Sequence, residues 1–270
     1  MNPNSPGVRA ALVIAHPAHE LRLLGWLARV KPVTFVLTDG AGRVGRPRLA
    51  RTAALLRQVG AEQGAVFGDL TDRSVYLDLL AGRHDALLTI IDRLADGFVD
   101  ARIDVVVVDA HEDAFLTHDV LNALARAAAL AAGERLGRPL PLYDYPLEND
   151  PSYCPADRRD GTVLMRLDAE QLKWKLDVAR GYREVANEVQ EALHLFGQGS
   201  FAVECLRPIR DAAAVYRPTE KPEYELHGEQ GVADGVYTRV VRYRQHVAPF
   251  LQRAASYAPA LGTATLARAA

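Results

Sequence analysis

With 270 residues, 49% of them hydrophobic, the chain carries enough apolar material to bury a full core, which excludes a disordered protein. Its 32 Lys and Arg against 34 Asp and Glu leave a formal net charge of −2, so no global basic field points to nucleic acid or an anionic membrane. Cys154 and Cys205 are too few for a disulfide framework and lack zinc-ribbon spacing, residues 1–10 hold no apolar signal core, and no apolar run approaches the roughly 18 residues needed to span a bilayer. The expectation is a soluble cytoplasmic protein with free thiols, most simply one domain over 1–270.

The first half alternates strand and helix signals. Ala11 to Ala15 is an apolar run of strand length that Pro17 stops at His16, because proline can neither donate to a ladder nor extend it. Glu20 to Val30 reads as a helix, and Val33 to Leu37 is a β-branched strand closed by Thr38-Asp39-Gly40. After a basic, glycine-rich loop at Gly42 to Pro47, Arg48 to Val59 is a helix ended by Gly60. Ala65 to Phe67 is a short strand, Ser74 to Leu80 and Ala86 to Leu94 are helical, and Ile103 to Val108 is the strongest strand. The loop His111 to His118 then leads into a helix at Asp119 to Ala132. This order predicts an α/β fold with a Rossmann-like, mostly parallel sheet and helices on both faces.

The second half is less regular. Leu140 to Tyr145 is a further strand, and Pro146 to Gly161 is a long loop of the kind that more often serves function than filler. Asp168 with Gln171 forms a capping box that opens a helix running to about Phe196, weakened at Gly181. The core therefore spans about 10–196. An irregular C-terminal elaboration covers 197–270, with Gly262 to Ala270 expected to fray.

Two loops at strand ends carry the chemistry. His16-Pro17-Ala18-His19-Glu20 follows the first strand, and Asp109-Ala110-His111-Glu112-Asp113-Ala114-Phe115-Leu116-Thr117-His118-Asp119 follows the strongest one. In an open α/β sheet both reach the edge where ligands bind. Half of the 8 histidines concentrate there, which suits a metal site. Read singly, either loop is equally a helix start, with Thr117 or Asp119 as cap.

The sequence His-Pro-x-x-Glu after a strand, a Gly five residues beyond that Glu, and a strand closing on Thr-Asp-Gly resemble the LmbE/PIG-L-type zinc deacetylases. That family's first motif is usually His-Pro-Asp-Asp-Glu and its later loop approximately Glu-Gly-Gly-His-Pro-Asp-His. The resemblance covers roughly residues 10 to 196, with the basic loop, Arg48, Asp72 and the Lys175 to Tyr182 helix at related places. It implies zinc, or another divalent transition metal, held by His16, His19 and His118, with imidazole replacing the family's carboxylate ligand. It also implies a small-molecule substrate.

Besides the ligand change at His19, two further departures from the family pattern bear on catalysis. Ala18 stands where the family has its general base, and Phe115 where it has the histidine that assists the oxyanion. Such groups are each typically worth about 10²-fold or more in rate. Three readings follow: a metal-dependent hydrolase with Glu20, Glu112 or Asp113 as base, a metal enzyme running other chemistry on a biosynthetic intermediate, or an inactive binding protein. Arg43, Arg46 and Arg48 offer forks for a carboxylate or phosphate of the substrate, against a merely solvated basic loop. Phe115, Tyr145 and the neighbouring Tyr143 and Tyr153 offer an apolar wall or lid, against ordinary packing. His84, His194, His227 and His246 carry no motif, and nothing in the sequence sets the oligomeric state.

Overall fold

A computed structural model of the chain describes residues 2–42 and 45–257. Arg43 and the stretch from Gly262 to Ala270 lie outside the described residues. A seven-stranded sheet in the order β3-β2-β1-β4-β5-β7-β6 organises the rest. Its strands are β1 Ala10–Ile14, β2 Val33–Thr38, β3 Glu62–Leu70, β4 Val105–Asp109, β5 Leu142–Tyr145, β6 Val163–Arg166 and β7 Val203–Ile209. The first five pair in parallel, whereas β7 runs antiparallel to β5 and β6 antiparallel to β7.

Every residue of β1, β2 and β4 is buried, as their apolar runs require of strands covered on both faces. Alternate residues serve the two sides. Ala11, Val13 and Ala15 pack with α3 (Asp72–Leu80), α4 (Asp85–Asp100) and α5 (Leu116–Leu136). Leu12 and Ile14 face α1 (Leu24–Val30), α2 (Leu49–Val59) and α6 (Ala169–Gly181). The Rossmann-like, doubly covered α/β sheet read from the sequence is thus the observed fold, with α7 (Ala186–Phe196) and α8 (Glu223–Ala233) completing the helices named here.

Several boundaries differ from the sequence reading. The expected helix from Glu20 begins as a 3-10 turn, His19–Leu23, before α1. The expected helix from Asp119 starts three residues earlier, at Leu116, so His118 lies in its first turn rather than in the preceding loop. The Asp168 and Gln171 capping box forms as read, and the helix breaks after Gly181 into a 3-10 turn before α7. Strand β6, and strand β7 and helix α8 in the irregular C-terminal part, are elements the sequence reading did not name.

The strand order turns about β1 and β4. From β1 the chain proceeds outward through β2 and β3, then returns to place β4 on the other side of β1. Loops leaving the carboxyl ends of these two strands diverge and open a crevice, the usual ligand position in such sheets.

Candidate metal centre

His16 and His19 leave β1, and His118 enters from the first turn of α5, beyond β4. Their ring centroids stand 5.0 Å apart for His16 and His19, 5.2 Å for His16 and His118, and 4.7 Å for His19 and His118. One ligand atom from each lies within 4.8 Å of the others. The turn between the first two depends on Ala18 in the left-handed region (φ 89°) and on Glu20, whose carboxylate accepts from the Ala18 N–H at 2.8 Å.

The hydrogen bonds fix which nitrogens are available. The Thr38 hydroxyl donates to the Ala15 carbonyl at 3.0 Å, so its oxygen accepts from His16 Nδ1 at 2.7 Å. Asp109 Oδ2 accepts from His19 Nδ1 at 2.7 Å and from the Ala15 N–H at 2.7 Å, and the Tyr145 hydroxyl donates to Asp109 Oδ1 at 2.5 Å. With Nδ1 protonated in both rings, Nε2 carries the free lone pair. Such outer partners set the tautomer and orientation of metal-ligating histidines.

Burial disfavours the charged forms of His16 and His118. Burial, and then the charges of His19 and His118, hold His16 well below the usual imidazole range. Burial, and then His19, hold His118 down to about 3. Asp109 stays ionised: burial works to raise its carboxyl, but the charge and hydrogen bond of His19 outweigh it and the net shift is downward. Three converging imidazoles, two of them with anchored Nδ1 protons, fit zinc, which takes histidine nitrogen at about 2.0–2.1 Å and leaves room for a further ligand.

The three carboxylates expected as bases are committed elsewhere. Glu20 is fully buried and accepts from Thr52 Oγ1 at 2.8 Å and from the Tyr182 hydroxyl at 2.7 Å. Glu112 accepts from the Leu147 and Glu148 N–H groups, each at 2.9 Å, and from Asn149 Nδ2 at 2.8 Å, which pins the long loop. Asp113 faces His111 and takes the Tyr216 hydroxyl at 2.6 Å. Tyr145, expected at the substrate surface, is fully buried and holds Asp109 instead.

Two other carboxylates approach the histidines. Asp72 Oδ1 lies 3.4 Å from His16 Nδ1 and accepts from Thr117 Oγ1 at 3.0 Å. Glu148 Oε1 lies 4.0 Å from His118 Nδ1, on a side chain 39% exposed. Burial raises both acids, with Glu112 adding to the rise at Glu148. Asp72, one of the positions marked by the family resemblance, opens α3 behind the Thr71 and Ser74 capping box. For Glu148 the one available signal was the length of its loop.

Arg48 and Phe115 do reach the crevice rim. Gly40, at φ +66°, admits both Pro17 and Arg48: a Cβ there would come within 2.7 Å of Pro17 Cδ and 2.9 Å of Arg48 Nε. Arg48 Nε is buried and has no hydrogen-bond partner among the described residues. The Phe115 ring is 46% exposed and its centroid stands 5.1 Å from that of His118. Tyr143 is buried, whereas Tyr153 and Arg46 are exposed.

Among solved structures, the chain is similar to the conserved protein TT1542 from Thermus thermophilus, at 21% identity and a TM-score of 0.51, covering 79% of this chain and 99% of that one. It is also similar to the zinc inhibited form of teicoplanin deacetylase Orf2, at 12% identity and a TM-score of 0.50, covering 74% of this chain and 97% of that one. At these identities the likeness is one of fold. No protein-family profile matches the chain, nor does any curated protein sequence.

Proposed function

We propose that the chain is a metal-dependent hydrolase that cleaves an N-acyl amide of a small molecule at the His16, His19 and His118 cluster. The observation that carries this reading is the convergence of the three imidazoles, two with Nδ1 anchored by Thr38 and Asp109. The fold shared with a teicoplanin deacetylase supports it.

His16, His19 and His118 would hold a zinc or similar divalent ion. Such an ion supplies Lewis-acid polarisation of a carbonyl and a water of lowered pKa. The protein's own part is positioning and proton transfer. Asp109 and Thr38 hold the imidazoles in one tautomer. Glu148, whose pKa burial raises, replaces the base absent at Ala18 by taking a proton from water on the His118 side and returning it to the leaving amine. Arg48, at the crevice rim, offers its guanidinium to a polar group of the substrate. Phe115, exposed beside His118, favours an acyl chain longer than acetyl, because it presents apolar surface where the family has a polar group.

The test loads the chelator-stripped protein with Zn2+ and measures amine release from N-acyl amino sugars of graded acyl length. Hydrolysis should appear only with metal, should favour the longer chains, and should disappear in His19→Ala. A metal-loaded protein inert toward the whole series, or one whose activity survives His19→Ala, overturns the reading.

A further inference from the structure

We propose that His111, Asp113 and Asp119 form a second divalent-cation site, separate from the three-histidine cluster, that fastens the C-terminal segment to the loop after β4. His111 Nε2 stands 3.3 Å from Asp113 Oδ1 and 3.6 Å from Asp119 Oδ2, and the three donor atoms lie within 4.8 Å of one another. Ligand atoms about 2.0–2.2 Å from one tetrahedral ion lie about 3.4 Å apart, so the spacing at His111 is already that of a coordination shell.

A second, independent observation points the same way. Asp119 is 1% exposed, and while its Oδ1 accepts from the Glu112 N–H at 3.2 Å, its Oδ2 has no hydrogen-bond partner among the described residues. A buried carboxylate oxygen without a partner is costly, and a cation between it and His111 satisfies it. Mixed nitrogen and oxygen donors suit zinc and its first-row neighbours.

The surroundings hold the donors in place. Asp113 sits in the left-handed region (φ 60°), and its carbonyl accepts from the Glu223 N–H at 2.9 Å, at the start of α8. The Tyr216 hydroxyl takes Asp113 Oδ2 at 2.6 Å, which turns Oδ1 toward His111, and the Tyr216 ring lies 3.8 Å from the His111 ring, centroid to centroid. Both partners belong to the C-terminal segment. His118 and Asp119 are consecutive in the first turn of α5, so their side chains diverge by roughly 100° around the helix and serve different sites.

Zn2+ binding to the stripped full-length chain, read by equilibrium dialysis and elemental analysis, tests the proposal without any activity measurement. The wild type should take up two ions per chain. His111→Gln, Asp113→Asn and Asp119→Asn should each retain one. The double variant His16→Ala/His19→Ala should also retain one, and adding His111→Gln to it should remove the last. In the His16→Ala/His19→Ala background, Zn2+ should raise Tm and protect residues 210–235 from proteolysis. Asp113, on the partly exposed side of the cluster, supplies a folded variant should Asp119→Asn fail to fold. A wild type holding one ion that is lost in His111→Gln supports this site and counts instead against the three-histidine reading. A wild type holding one ion that His111→Gln retains, or two that survive His111→Gln and Asp113→Asn alike, overturns the second site.

Discussion

Two buried polar clusters in this molecule differ in what their side chains are committed to. Around Glu204 of β7, the buried carboxylate and the ammonium of Lys175 from α6 are both partnered. Lys175 Nζ donates to Glu204 Oε1 at 2.7 Å and to the Arg22 carbonyl at 2.6 Å, and Glu204 accepts from the Gly25 N–H at 2.9 Å and the Trp26 N–H at 2.7 Å. Because α1 has no side-chain cap of its own, Glu204 from β7 serves its N-terminus across the fold. Gly25 makes that approach possible: a Cβ there would come within 2.3 Å of Leu167 Cδ2 and 3.3 Å of Glu204 Oε1. Around His16, His19 and His118, by contrast, Nδ1 of His16 and of His19 is anchored and one ring nitrogen from each of the three converges on the others. A satisfied buried cluster specifies architecture, whereas a convergent set of unused donors marks a place for a ligand.

The sharpest way to separate the two is to damage the first. Lys175→Met leaves the Glu204 charge buried without its counter-ion, and removing one partner of a buried ion pair costs about 3–5 kcal/mol. Denaturant unfolding should show that loss, while Zn2+ affinity of the folded fraction stays that of the wild type. A change in ion affinity would mean that the clusters are coupled and that the contrast drawn between them fails.

Smaller effects are expected at the second cluster. Glu148→Gln should lower kcat about 10²-fold, equivalent to about 2.7 kcal/mol, with Zn2+ stoichiometry unchanged, since it moves protons and does not hold the ion. An unaltered rate would shift the base to Asp72. Asp109→Asn keeps the shape of the group that orients His19 and removes its charge, so Zn2+ affinity should fall about 10- to 100-fold, or about 1.4–2.7 kcal/mol, with the fold retained. Isothermal titration of the stripped protein measures this directly, and an unchanged affinity would show that Asp109 only packs.

The parallel sheet was legible because its central strands are buried on both faces and therefore read as unbroken apolar runs: Val105 to Val108 can be little else. The meeting of His16, His19 and His118 was also legible, since strand-end loops on either side of one crevice must face each other. Roles inside the site were harder to read. Glu20, Glu112 and Asp113 lie close to the histidines in sequence, but their carboxylates turn toward backbone N–H groups and hydroxyls that chain order does not reveal. Asp72 and Glu148 arrive from distant segments. Strands β6 and β7 were hidden because β6 alternates half-buried with exposed positions and β7 contains Pro208, so neither shows the apolar run of a central strand.

The last expected effect is the smallest and bears most directly on what the cluster is for. Ala18→Asp with Phe115→His restores a carboxylate and an imidazole at two of the positions where this chain departs from the LmbE/PIG-L pattern. Neither change should upset the fold. Asp tolerates the left-handed φ of 89° at position 18 better than Ala does, and Phe115 is 46% exposed, so an imidazole there keeps its water. The desolvation cost that would confound a fully buried site therefore does not arise, and the rate can be read on its own. If the cluster is a deacetylase that has merely lost its base, hydrolysis of N-acetyl sugars should rise by the roughly 10²-fold or more that such groups contribute. If Glu148 already supplies the carboxylate and Phe115 the acyl contact, the added base is redundant: N-acetyl hydrolysis should stay within about threefold of wild type, near the noise of ~0.6 kcal/mol in such comparisons. Activity on longer acyl chains should meanwhile fall as the apolar contact is lost. The second pattern is the one expected, because the Phe115 ring stands against His118 at the open rim, where a substrate rather than the core can bury it.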